Sequence, residues 1–149
     1  MKAARDRVRE AAKTFGVHLM EREMTYNTRL AQELGAWAET KGKGDEFNNA
    51  AFRACLVHDM NIGKMPLLLE VAASVGLPEG EAQRVLKTRV FRKVIDFDWE
   101  RGRRMGVTEI PTAVVGRNAL IGAQQYQIFE ELMRVCEIDK RGPGHEEGP

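Results

Sequence analysis

At 149 residues, 43% hydrophobic and 30% charged, with 23 basic against 22 acidic side chains, the chain has the length and composition of one ordinary globular domain. The near-balance of charge supplies no general field for DNA, RNA or anionic lipid, and no stretch approaches the roughly 18 consecutive apolar residues of a membrane span. Lys2-Ala3-Ala4-Arg5-Asp6-Arg7 also lacks the apolar core of a secretory signal, so the expectation is a cytoplasmic protein whose partners are neither nucleic acid nor membrane.

Ala3 to Phe15 carries Val8, Ala11, Ala12 and Phe15 at helical spacing, with Gly16 as a stop. Val17 to Met24 alternates loosely and reads as a short extended segment or a loop. Asn27 is a plausible N-cap for a helix with Leu30, Leu34, Trp37 and Ala38 on one face, ended by Lys41-Gly42-Lys43-Gly44. A third helix opens at Gly44 or Asp45, with Phe47, Ala51, Phe52, Cys55 and Leu56 on one side, and Asn61-Ile62-Gly63 breaks it. Pro66 suits the first turn of the next, whose apolar face is Leu68, Leu69, Ala72 and Val75 and whose end is Gly76. A short helix follows from Leu77-Pro78 through Leu86, then another from Val90 to Met105. Trp37 and Trp99 read as core aromatics on helix faces. Arg84 to Arg104 is rich in Lys and Arg, but Asp96, Asp98 and Glu100 interrupt it, and such a run is more often a solvated face than a nucleic-acid site.

The strong strands come late. Thr112 to Val115 and Ala119 to Ile121 flank the turn signal Gly116-Arg117-Asn118, which predicts a hairpin, and Gln124 to Ile138 predicts a closing helix burying Ile128, Phe129, Leu132 and Val135. Pro111 marks the entrance of the first strand, since proline lacks the donor a strand interior needs. Local sequence leaves the isomer of Ile110-Pro111 open. Residues 141–149 are charged and rich in Gly and Pro and read as a disordered tail.

Two cysteines occur, Cys55 and Cys136, with no Cys-x-x-Cys pair and no His/Cys cluster at metal spacing. Cys55 shares an apolar helix face and reads as an inert small hydrophobe, while Cys136 near the last helix end reads as more accessible but without a resolving partner nearby in sequence. His18, His58 and His145 stand alone. No metal and no cofactor is expected.

Asn27-Thr28-Arg29-Leu30-Ala31, Trp37-Ala38-Glu39, Ala51-Phe52-Arg53-Ala54, Asn61-Ile62, Val75-Gly76-Leu77, Gly106-Val107-Thr108-Glu109-Ile110-Pro111-Thr112 and Gly122-Ala123-Gln124 together carry a resemblance from about Ala3 to Met133. The chain looks like the DsbA-like branch of the thioredoxin superfamily, close to FrnE-type proteins and related to 2-hydroxychromene-2-carboxylate isomerases and kappa-class glutathione transferases. The resemblance implies an α/β, thioredoxin-like but mostly helical fold, with a DsbA-type helical insertion followed by a β-hairpin and a helix. On that pattern residues 1–24 are a leading helix and short extended segment, 25–106 the helical insertion, 107–139 the C-terminal ββα part and 140–149 the tail.

Members of that family begin with a strand, a Cys-x-x-Cys at a helix start and a second strand, and this sequence has no counterpart to that first βαβ half. A glutathione-dependent activity would need a nucleophile in the same absent half. What carries over is the substrate-facing loop: Ile110, Pro111 and Thr112 match the residues that lie opposite the active thiol and pair with an extended peptide. The resemblance thus implies the substrate-groove portion of a disulfide oxidoreductase acting on a polypeptide or thiol substrate, inactive by itself. A two-stranded hairpin is marginal alone and its edge invites pairing, so a homodimer or a partner chain could complete the sheet. The alternative is a non-catalytic dimerisation or peptide-binding module that uses the open edge.

Overall fold

The computed structural model describes residues 2–21 and 25–139. Seven helices and one two-stranded sheet are formed among them, in the order α1 (Lys2–Thr14), α2 (Arg29–Thr40), α3 (Gly44–Leu56), α4 (Met65–Ser74), α5 (Glu79–Thr88), α6 (Arg92–Arg104), β1 (Thr112–Val115), β2 (Asn118–Ile121) and α7 (Tyr126–Val135). Of the expected extended segment 17–24, residues 17–21 take no regular structure and 22–24 lie outside the described residues, as does the expected tail at 140–149. By packing, the chain divides into two compact units, 1–98 and 99–149.

In the first unit α2 packs on α3 and α5, and α4 packs on α3 and α5. Leu34, Phe47, Leu68 and Leu86, one from each of these helices, are the largest fully buried apolar side chains and belong to one cluster. Each contributes about 1.5–3 kcal/mol by leaving water. Chain breakers set the helix ends: Pro66 sits in the first turn of α4, where its missing N–H has no intrahelical acceptor to lose. Between α3 and α4, the Asn61 Oδ1 accepts the Gly63 N–H at 3.0 Å, and Gly63 is required by crowding. A Cβ there would stand 2.9 Å from the carbonyl oxygen of Asn27.

Three local expectations are corrected. Thr28, not Asn27, is the residue flanking α2; the Asn27 side chain still serves the helix start by accepting the Arg29 N–H at 2.9 Å. Phe52 is 65% exposed and Ala54 takes the core place beside Cys55. Five residues on from Phe47, it lies about 140° round the helix and misses the face that Phe47, Ala51 and Ala54 share. Trp37 is buried, but Trp99 is 49% exposed, because α6 runs past the end of the helical unit at Asp98 and only Ile95 on it is buried.

The second unit is a hairpin and a helix. β1 and β2 pair antiparallel in the register Thr112↔Ile121, Ala113↔Leu120, Val114↔Ala119 and Val115↔Asn118, so Asn118 belongs to the strand and the turn is the two residues Gly116-Arg117. Gly116 at φ +59° supplies the first-position left-handed backbone that a two-residue hairpin turn demands. On α7, Leu132 is buried and Phe129 and Met133 half-buried, whereas the expected core residues Ile128 and Val135 are exposed. The covered face runs through 129, 132, 133 and 136, and Ile128 and Val135 flank it.

Candidate functional site

The loop from Gly106 to Pro111 delivers the chain from α6 into β1. The Ile110-Pro111 peptide bond is cis. Two bonds hold the loop from the strand side: the Thr112 hydroxyl donates to the Glu109 carbonyl oxygen at 2.6 Å, and the Gly122 N–H donates to the Pro111 carbonyl oxygen at 2.8 Å. The second bond fixes which backbone groups face which way. In an antiparallel pair hydrogen-bonded positions alternate, so 111/122, 113/120 and 115/118 bond within the hairpin while Thr112 and Val114 turn their N–H and C=O groups outward. Pro111 occupies an inward position, where it lacks only a donor that Gly122 would have accepted.

Ile110 is 90% exposed. Among the described residues its backbone N–H and C=O have no hydrogen-bond partner, and no third strand pairs with β1 or β2. Ile110, Pro111 and Thr112 therefore sit together at the head of an edge strand, with a bare side chain first and outward-facing backbone next. Such an arrangement can hold an extended chain by main-chain hydrogen bonds. A groove of about 870 Å³ runs along α7 and the residues after it, between Tyr126 and Asp139, and includes none of these loop residues.

The two thiols are held differently. Cys55 is buried on α3 among the helical core. Cys136 follows the end of α7, half-buried, with its sulfur accepting the Asn118 side-chain amide at 3.3 Å. Both are free. His18 and His58 are exposed.

A buried charge cluster escaped the sequence reading. Glu33 on α2 is 1% exposed. Arg89 grips its carboxylate with both arms, at 2.6 and 2.7 Å, and Arg29 adds a third bond at 3.1 Å. Arg29 also bonds the Arg92 carbonyl oxygen at 2.9 Å and the Asp96 carboxylate, so the cluster ties α2 to the end of α5 and the start of α6. Arg89 hydrogen bonding holds the Glu33 carboxyl below the usual carboxylate range against the opposing cost of burial, and Arg29 reinforces it. Its one signal in the sequence is Arg29 four residues before Glu33; Arg89, 56 residues away, gives none. A carboxylate so fully paired is a structural clamp, not a proton acceptor. Farther along the basic run, Arg103 and Arg104 both pair with Glu100.

The family model described as DSBA-like thioredoxin domain matches residues 1–134. The protein named "Uncharacterized protein YwbO" of Bacillus subtilis (strain 168) is 31% identical over 110 residues, which cover 71% of this chain and 54% of that protein. The chain thus spans about half the length of this relative. Among the described residues no helix is long and apolar enough to cross a membrane.

Proposed function

Because the chain belongs to the DSBA-like thioredoxin family, we propose that it provides the substrate groove of a FrnE-type dithiol oxidoreductase acting in the cytoplasm. In this reading Ile110, Pro111 and Thr112 face an extended polypeptide, and residues 25–106 are the helical insertion. The observation that carries the proposal is the exposed Ile110 with unpartnered backbone groups, immediately ahead of a strand that turns Thr112 and Val114 outward. The 149 residues hold no Cys-x-x-Cys. The reactive dithiol of this reading therefore comes from beyond them or from a second polypeptide, and Cys55 and Cys136 are bystanders.

Two measurements test it. Titrating the isotope-labelled chain with an unstructured peptide moves the amide resonances of Ile110, Thr112 and Val114; a peptide that binds and leaves all three unmoved overturns the groove assignment. In an insulin-reduction assay the chain is inactive, and activity that disappears in the Cys55→Ser/Cys136→Ser variant overturns the bystander role of the thiols.

The outward backbone of β1 also favours a second reading, a non-catalytic module that dimerises or captures a strand through that edge. Sedimentation separates the two. A concentration-dependent dimer that blocks peptide binding favours the module.

A further inference from the structure

The loop that presents Ile110 also carries a charge. Glu109 is exposed, and among the described residues no cation forms an ion pair with its carboxylate. Its backbone is not free to turn away, because the Glu109 carbonyl oxygen holds the Thr112 hydroxyl at 2.6 Å. Of the cations in the last turn of α6, Arg103 and Arg104 both bond Glu100, while Arg101 is exposed and forms no ion pair with Glu109; Arg134 on α7 bonds Glu131. Arg117, the exposed cation of the hairpin turn, stands beyond the far end of β1, whose four residues rise roughly 10 Å, more than a screening length of about 8 Å. A segment lying against Ile110 therefore meets an exposed apolar side chain next in sequence to an exposed carboxylate that has no ion-pair partner among the described residues.

We propose that Glu109 is a specificity-determining residue, making this loop select extended polypeptide segments in which a basic residue accompanies the apolar residue that meets Ile110. The inference rests on the groove reading and names the class of segment the groove takes. Exposed ion pairs are weak, so Glu109 discriminates among segments and supplies little of the affinity.

The experiment uses the full chain and three fluorescein-labelled peptides that share an apolar centre and differ only in flanking Lys, Gln or Glu. Anisotropy titrations at low salt give the lysine peptide the tightest binding, about twofold to fivefold over the glutamine peptide, with the glutamate peptide weakest. The order fades at high salt. In Glu109→Gln the three peptides bind alike, in Glu109→Lys the order inverts, and Arg117→Gln leaves it as in the parent chain. A lysine preference that persists in Glu109→Gln, or a parent chain that does not discriminate, overturns the role of Glu109 while leaving the groove standing. If none of the peptides binds or moves the Ile110 and Thr112 amides, the groove reading falls, and this inference falls with it.

Discussion

The two units bury their apolar residues on different terms. In residues 1–98 four helices supply a continuous core, and Leu34, Phe47, Leu68 and Leu86 are almost wholly removed from water. Among the described residues from 99 on, Leu132 alone is a buried apolar residue, while Ile110, Ile121, Tyr126 and Val135 stay exposed. The helical unit carries its stability inside itself, as a scaffold must. The hairpin unit keeps its apolar surface and strand backbone available, which is the condition for binding an extended chain and also a liability for aggregation.

The largest break in that comparison comes from the core. Phe47→Ala should cost the helical unit about 3–5 kcal/mol, since the cavity left between packed helices closes only in part. Leu132→Ala, made in the unit with little core, should cost clearly less. Denaturant unfolding followed by far-ultraviolet circular dichroism gives both values, and equal losses would contradict the contrast.

Glu33 sharpens the same point through charge. Glu33→Gln leaves Arg29 and Arg89 around a neutral partner and should cost about 3 kcal/mol at neutral pH, the lower end for a buried pair because Arg89 is partly exposed. The folded state lowers the carboxyl pKa, so the stabilisation is fully present above the ordinary glutamate range and is lost as pH falls through the folded value. The two proteins should therefore converge in stability under acid. Curves that stay parallel from neutral to acid pH would remove Glu33 from the account.

These residues also show what a sequence discloses. Helix spacing, Pro66 and the Gly116 turn are local signals, and they place every helix and the hairpin. The same spacing misassigns Phe52, Ile128 and Val135, because an apolar residue at the margin of a face looks like one at its centre until the neighbouring element is known. The Glu33–Arg89 pair joins residues 56 apart and has no local signature at all. The expectation for Ile110, Pro111 and Thr112 came from likeness to a family, not from any local signal. Which of their backbone groups face outward depends on the register, and that needed the bond from Gly122 to Pro111.

A smaller effect tests how closely the elements of the helical unit approach. Gly63→Ala places a Cβ against the Asn27 carbonyl oxygen, which cannot rotate away as a side chain could. The backbone must shift, at about 1–3 kcal/mol. Thermal unfolding measures it, and an unchanged midpoint would mean that the loop before α2 yields freely.

The smallest expected difference is the most specific to the hairpin. Proline at 113 removes a donor that β1 gives to Leu120, whereas proline at 114 removes a donor that points away from β2. Both changes carry similar conformational costs, so their difference isolates one ladder bond, about 1 kcal/mol. Amide exchange of Leu120 and Asn118 should rise more in Ala113→Pro than in Val114→Pro. Peptide binding should respond in the opposite order, because Val114 is the outward donor. A variant series in which position 113 governs both readouts would mean that strand pairing and recognition use the same edge, and the groove would have to be sought elsewhere on this unit.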